Sequence, residues 1–205
     1  MTLVIAALIA YLIGSISFAL LVSRTLGLPD PRTYGSGNPG ATNVLRSGRK
    51  SAAALTLAGD TLKGWFAVFL VEQHMVAEPL AAGIAAVAVV VGHMWPVYFR
   101  FTGGKGVSTG LGALIALDLW LAAGTIATWL VIAFFFRYSS LAALVAAAFA
   151  AFFSFFLYGM GRFALEPAVC VTVISVLLVW RHASNIRNLF AGTEGKLGSN
   201  KTGAA

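Results

Sequence analysis

Charged residues are scarce in this chain. Only 10% of its 205 residues are Asp, Glu, Lys or Arg, whereas 59% are hydrophobic, and the mean hydropathy is +0.87. Soluble domains carry about 25% charged residues, so this composition excludes an ordinary soluble domain and predicts an integral membrane protein. Acidic residues are rarer than basic ones, 7 against 14, and the net charge at pH 7 is therefore +7.

The sequence also has a single cysteine and no internal repeat. The one cysteine, Cys170, lies within an apolar run, which excludes an intrachain disulfide and a cysteine metal cluster. No segment of 20 to 50 residues repeats, which excludes a solenoid. The simplest prediction is one integral membrane domain over residues 1–205.

Long apolar runs are what the chain has in abundance. A spanning helix needs about 20 mostly apolar residues, and six runs fit: residues 2–23, 51–71, 79–99, 119–136, 139–158 and 165–181. A seventh run, residues 107–117, is apolar but short. At about 1.5 Å per residue it would cover only about half of the hydrocarbon core. Hydropathy alone therefore leaves open whether it crosses.

The distribution of Lys and Arg favours two crossings over residues 107–136. With the N-terminus outside, Arg162 alone then falls outside and Lys63 lies within a span. The other basic residues lie on the cytoplasmic side, as positive-inside topology prefers: Arg24, Arg32, Arg46, Arg49, Lys50, Arg100, Lys105, Arg137, Arg181, Arg187, Lys196 and Lys201. We therefore predict an all-α polytopic membrane protein, a seven-transmembrane-helix bundle with a short fourth helix and a cytoplasmic C-terminus.

This topology places three polar segments on the cytoplasmic face: loops 24–50 and 100–107 and the tail 182–205. The first contains YGSGNPGATN, residues 34–43, in which dense Gly and Asn oppose helix and strand. Accessible backbone N–H groups followed by arginines are suited to binding an anion. A flexible connector is the alternative, but the specific turn residues favour a substrate loop. The candidate substrate-binding residues of this loop are Ser36, Gly37, Asn38, Gly40, Asn43 and Arg46.

The second polar segment places glycines and a lysine directly before the short helix. Gly103, Gly104, Lys105 and Gly106 can form a cradle for phosphate oxygens at a helix N-terminus. The G-x-x-x-x-G-K-[ST] spacing of a Walker A loop is absent, so ATP hydrolysis is not supported.

The third polar segment, RHASNIRNLFAGTEGK, leaves the last span. His182 and Asn185 have i, i+3 spacing and should share one helical face. A plain basic tail would explain the arginines of this segment but not Asn185 or the isolated Glu194. We therefore count His182, Asn185 and Glu194, together with Lys105, as catalytic candidates.

Two ionisable residues lie inside the second span. Asp60 and Lys63 are three residues apart, and charges in hydrocarbon are costly unless they pair or face a cavity. We predict that they form, with His93, the wall of a polar cleft. A pair that only neutralises itself, and a helix-end histidine bonded to a carbonyl, are the structural alternatives.

Four motifs occur in order along nearly the whole chain: GSGNPGATNVLR, D-x-x-K-G from Asp60, GHMWPVYFRFTGGKGVSTG, and RH-x-x-NI with G-x-E-x-K. They resemble the bacterial acyl-phosphate:glycerol-3-phosphate acyltransferase family. The resemblance implies a seven-helix fold in the bacterial inner membrane, with an active site facing the cytoplasm. It also implies transfer of a fatty acyl group from acyl phosphate to the 1-hydroxyl of sn-glycerol 3-phosphate, giving lysophosphatidic acid and phosphate. This reaction is the first step of phospholipid synthesis.

The same resemblance implies no cofactor, no metal and no coenzyme A thioester; the partners would be the two substrates and membrane lipid, without nucleic acid. The sequence itself also disfavours a thioester as the acyl donor. Thioester-dependent glycerolipid acyltransferases use a His-x-x-x-x-Asp pair, and the positions five after the three histidines hold Pro79, Tyr98 and Arg187. An acyl phosphate is already activated, so positioning and charge neutralisation can suffice. His182, Glu194 and the substrate's own phosphate all remain candidates for accepting the hydroxyl proton.

Two other classes of function fit parts of the pattern. A small organic-anion transporter would also aim helix N-termini at an anion, but transporters usually repeat an interrupted span in two halves. Here the polar segments share one face and neither half repeats the other. A scaffold without chemistry would not require Lys105 or His182.

Overall fold

The computed structural model describes residues 1–75 and 77–198. The end of the expected cytoplasmic tail, including Lys201, lies outside the described residues. Within the described ranges the chain forms α-helices and one 3₁₀ turn, Val97–Phe99, and no strand. The helices are α1 (Thr2–Gly14), α2 (Phe18–Thr25), α3 (Ala41–Leu45), α4 (Lys50–His74), α5 (Pro79–Met94), α6 (Val107–Leu117), α7 (Leu119–Phe136), α8 (Ser139–Gly159), α9 (Leu165–Arg181) and α10 (Ala183–Phe190).

Five segments of the described chain are long and apolar enough to cross a membrane: Thr2–Thr25, Lys50–His74, Pro79–Phe99, Leu119–Phe136 and Ser139–Gly159. The pair of α9 and α10, which bends by 57°, makes a sixth candidate if the two helices are counted as one span. The prediction of an all-α, multi-spanning protein is confirmed. Helix α6 has 11 residues and lies below the length of a full span, so the seventh crossing and the orientation stay predictions.

The first span is broken where the apolar pattern predicted one continuous helix. Helix α1 ends at Gly14, and the Ser17 side chain caps α2 by accepting a hydrogen bond from the N–H of Leu20 (3.5 Å). In this break the carbonyl of Ile16 accepts a hydrogen bond from Nζ of Lys63 (2.5 Å). The break thus supplies a buried lysine with an acceptor that a continuous helix would have used itself.

Glycines set the closest helix contacts. A Cβ at Gly64 would overlap the backbone of Thr109, and a Cβ at Gly112 would overlap the backbone of Thr61. Helices in membranes pack closely where small residues let backbones approach. Helix α6 is therefore held tightly against α4, and this contact positions the glycine segment that precedes α6.

Candidate active site

Asn43 organises the first polar loop. Its Nδ2 donates to the carbonyls of Pro31 (2.7 Å) and Tyr34 (3.2 Å), while its Oδ1 accepts from the N–H of Ser36 (2.9 Å). The side chain is nearly fully buried, with 2% exposed. The structure therefore brings Ser36 and Asn43 together, with Asn43 as the pin that holds the loop.

The structure accounts for the individual glycines of this loop in different ways. Gly37 takes a positive φ of +67°, whereas Gly40 is extended and lies close to the side chain of Asn38. Gly35 was not among the sequence candidates, yet a Cβ there would overlap Oδ1 of Asn43, and its φ is +60°. A left-handed backbone of this kind favours glycine.

Arg46 connects the loop to the C-terminal tail. It caps the end of α3, and its Nη2 lies 3.3 Å from the position that a Cβ on Gly195 would occupy. Residues almost 150 positions apart in sequence therefore meet at one place. The hydroxyl of Thr42 adds a second link, 3.2 Å from the hydroxyl of Ser139 at the start of α8.

The glycine segment before α6 has its carbonyl groups engaged. The guanidinium of Arg181 donates to the carbonyls of Gly103 (2.9 Å) and Gly104 (3.1 and 3.3 Å), and the N–H of Gly104 donates to the carbonyl of His93 (3.1 Å). Among residues 1–75 and 77–198, no acceptor is found for the N–H groups of Lys105 and Gly106. These donors stand at a helix N-terminus, where an anion is favoured.

A hydrogen-bonded chain joins three of the four catalytic candidates. Nζ of Lys105 donates to Oδ1 of Asn185 (2.5 Å), and Nδ2 of Asn185 donates to Oε1 of Glu194 (2.7 Å). The same carboxylate oxygen accepts from the hydroxyl of Ser140 (2.5 Å). Sequence reasoning missed Ser140, because a serine inside an apolar helix is common and carries no signal of its own.

Positive charge is in excess around Lys105. Burial lowers the pKa of Lys105, the Glu194 carboxylate partly raises it again, and Arg181 and Arg46 lower it further. Two other cations and one carboxylate therefore act on this ammonium. A phosphate group placed here would restore the balance of charge and would itself be held by ionised donors.

His182 lies at the bend between α9 and α10. Its side chain is 3% exposed, and Nδ1 lies 2.7 Å from the carbonyl of Leu178. A carbonyl can only accept, so Nδ1 carries the proton and Nε2 of the neutral ring is the basic nitrogen. His182 is the N-cap of α10, and Asn185 lies three residues further on in that helix. The 57° bend falls between α9 and α10, so the common face of the two residues stays a prediction.

Asp60, Lys63 and His93 meet behind the glycine segment. Nζ of Lys63 lies 2.8 Å from Oδ1 of Asp60 and 2.9 Å from Nδ1 of His93, and the hydroxyl of Thr109 is 3.1 Å from the same nitrogen. All three predicted residues are buried. A Cβ at Gly104 would overlap Nε2 of His93, so the histidine backs directly onto the loop.

Lys63 also borders an apolar groove. Lys63 alone of the three lines a groove of about 390 Å³, whose other walls are Ile13, Ile16, Phe18, Leu62, Trp65 and Phe66. The charged atoms of Asp60 and Lys63 lie close to each other and to His93. That the three residues form the wall of a polar cleft stays a prediction.

Comparison with known proteins decides the family. The sequence profile described as glycerol-3-phosphate acyltransferase matches residues 4–192. The chain belongs to the glycerol-3-phosphate acyltransferase family. A protein of Burkholderia lata called glycerol-3-phosphate acyltransferase is 57% identical over 205 residues, which cover 100% of this chain and 95% of that protein.

Solved structures of the family share the fold. A crystal structure of PlsY (YgiH), an integral membrane glycerol 3-phosphate acyltransferase in its glycerol 3-phosphate form, is similar with a TM-score of 0.88 and 35% identity. The match covers 97% of this chain and 96% of that one. The lysophosphatidic acid form is similar with a TM-score of 0.86 and 34% identity, over the same shares of both chains.

Family membership confirms the resemblance drawn from the motifs. The chain is an acyltransferase enzyme and a multi-pass membrane protein, and its family places it in phospholipid biosynthesis. These comparisons favour an enzyme over the organic-anion transporter and over the scaffold without chemistry.

Proposed function

We propose that this glycerol-3-phosphate acyltransferase takes its acyl group from acyl phosphate and transfers it to the 1-hydroxyl of glycerol 3-phosphate, releasing lysophosphatidic acid and inorganic phosphate. The observation that carries the proposal is the set of phosphate donors around Lys105. It includes the Lys105 ammonium and the N–H groups of Lys105 and Gly106, which have no acceptor in the described part of the chain. The related PlsY structures are glycerol 3-phosphate and lysophosphatidic acid forms, the acceptor and the product of this reaction.

The mechanism rests on positioning and charge. The 1-hydroxyl oxygen attacks the acyl carbonyl carbon, the carbonyl–phosphate C–O bond breaks, and phosphate departs with the negative charge. Lys105 and the N–H groups beside it neutralise that charge as it develops. Glycerol 3-phosphate is held by the Arg46 guanidinium and the Ser36 hydroxyl in the first loop, since a charge-assisted contact suits its dianion.

The hydroxyl proton has three possible acceptors: Nε2 of His182, the Glu194 carboxylate and the phosphate of the substrate. Oε1 of Glu194 already accepts hydrogen bonds from Ser140 and Asn185. This carboxylate is therefore better suited to holding Asn185 against Lys105. His182, with Nε2 in its basic form, and the substrate phosphate are the favoured acceptors.

The proposed topology is one domain in the bacterial inner membrane, with the N-terminus outside and the active site facing the cytoplasm. The excess of basic residues in the loops that carry the site supports this orientation. Helix α6 would be the short fourth crossing, entered from the cytoplasmic side at Gly106.

The donor is tested with purified protein, labelled glycerol 3-phosphate and one of three donors: acyl phosphate, acyl coenzyme A or an acylated carrier protein. We expect labelled lysophosphatidic acid with acyl phosphate alone, and one inorganic phosphate released per product. Product formed from a thioester but not from acyl phosphate would reject the proposed donor. A transporter would instead carry labelled glycerol 3-phosphate into vesicles without chemical change.

Arg46→Ala is expected to raise the KM for glycerol 3-phosphate about tenfold or more and the KM for acyl phosphate less than about twofold, because hydrogen bonds to charged groups contribute roughly 1.5–3 kcal/mol. Initial rates with each substrate varied in turn measure both constants. Arg49→Ala, an exposed arginine on the same loop, is the matched control and should leave both near wild type. An equal rise of both constants in Arg46→Ala would indicate general disruption instead.

A further inference from the structure

Arg181 makes contacts that the proposed chemistry does not use. It ends α9, is partly buried, and donates three hydrogen bonds to the carbonyls of Gly103 and Gly104. None of these contacts reaches a side chain that we assign to a substrate. The guanidinium is therefore committed to the backbone of the glycine segment.

The direction of these hydrogen bonds determines where the N–H groups of the segment point. In a trans peptide unit the C=O of one residue and the N–H of the next point in opposite directions. When Arg181 holds the Gly103 carbonyl, the N–H of Gly104 must point away from it, and this N–H indeed donates to the His93 carbonyl on the other side (3.1 Å). By the same geometry, holding the Gly104 carbonyl turns the N–H of Lys105 away from Arg181.

Glycine peptides turn over easily, because no Cβ restricts φ and ψ. If the Gly104–Lys105 unit turned over, the phosphate would meet a carbonyl oxygen instead of an N–H group. The oxygen would repel the anion where the N–H had attracted it. The hydrogen bonds from Arg181 to the carbonyls of Gly103 and Gly104 act as a clamp that opposes this rotation of the peptide unit.

The guanidinium is itself held in place by an aromatic neighbour. Its Cζ lies 5.5 Å from the ring centroid of Trp95, which packs against Trp180 at 5.4 Å. The backbone carbonyl of Trp95 accepts a hydrogen bond from the hydroxyl of Tyr11 (2.8 Å). A planar guanidinium can donate to two carbonyls at once in a fixed geometry, which a lysine ammonium cannot do in the same way.

From this geometry we propose that Arg181 is a positioning residue: it fixes the peptide orientation of residues 103–105 so that the Lys105 N–H faces the phosphate of the acyl donor. It acts through the loop and does not touch the substrate. The identity of the phosphate as that of the donor rests on the proposed function. The clamp itself rests on the contacts alone.

The test compares Arg181→Met and Arg181→Lys with Arg187→Met, which removes an exposed arginine from the neighbouring α10. Arg181→Met should raise the KM for acyl phosphate about tenfold, with less than about a twofold change for glycerol 3-phosphate, because the three hydrogen bonds from the guanidinium to the loop are lost. Arg181→Lys should recover little of this loss. Arg187→Met should behave as wild type.

A second measurement needs no turnover. Inorganic phosphate should raise the melting temperature of wild-type protein in detergent, and Arg181→Met should need about tenfold more phosphate for the same shift. If the wild type proves inactive with acyl phosphate, the proposed donor is rejected. The phosphate titration still tests whether Arg181 positions the loop. Unchanged phosphate binding in Arg181→Met would overturn the clamp. Recovery of the acyl phosphate KM in Arg181→Lys would also overturn it, because a positive charge alone would then be sufficient. An equal KM rise for both substrates, together with a lower melting temperature, would overturn it as well.

Discussion

Lys105→Ala is expected to reduce turnover at least ~100-fold, as the loss of single donors aimed at developing charge does in other enzymes. The negative charge on phosphate grows as the acyl–phosphate bond breaks, so an ammonium beside it stabilises the transition state more than the bound substrate. In the structure this ammonium is half-buried, held by Asn185, and set among Arg46 and Arg181. Alanine removes the charge and leaves Asn185 without its donor.

Initial rates at saturating substrate and a melting temperature in detergent separate loss of chemistry from loss of fold. Lys50→Ala, an exposed lysine at the start of α4, is the matched control and should retain wild-type turnover. Turnover near that of wild type in folded Lys105→Ala would remove the lysine from the chemistry. A rise in KM alone would assign it to binding, because uniform binding affects KM without kcat.

Lys63→Met is expected to cause the largest loss of stability, about 3–5 kcal/mol, because breaking a buried ion pair leaves an uncompensated charge. Asp60 is 0% and Lys63 4% exposed, and their charged atoms are 2.8 Å apart. Both Asp60 oxygens are buried without a hydrogen bond of good geometry to any described residue. The nearby ammonium is therefore what compensates this carboxylate.

A double variant tests whether the loss comes from the charge. Asp60→Asn combined with Lys63→Met removes both charges and should recover a substantial part of the melting temperature lost in Lys63→Met. The exposed pair of Asp30 and Arg32, 2.6 Å apart, provides the control, since Arg32→Ala should cost only about 0–1 kcal/mol. A double variant no more stable than Lys63→Met would show that the lysine matters for its contacts with Ile16 and His93 instead.

One expectation was incomplete for an identifiable reason. The apolar run at residues 2–23 predicted one helix, and the break at residues 15–17 escaped notice because Ser15 and Ser17 barely lower the average hydropathy of so long a run. The break occurs where the carbonyl of Ile16 accepts a hydrogen bond from the buried Lys63, and local patterns do not report such contacts.

The sequence by itself determined the membrane class, the positions of the apolar helices, the three polar segments and the family. These follow from the thickness of the bilayer, which demands long apolar runs, and from motifs that are contiguous in the chain. Only the tertiary structure decided which groups meet: Lys105 with Asn185, 80 residues apart, Ser140 with Glu194, and Arg181 with the glycine carbonyls. Hydropathy is a local property, whereas these hydrogen bonds depend on how α6, α8 and α9 pack together.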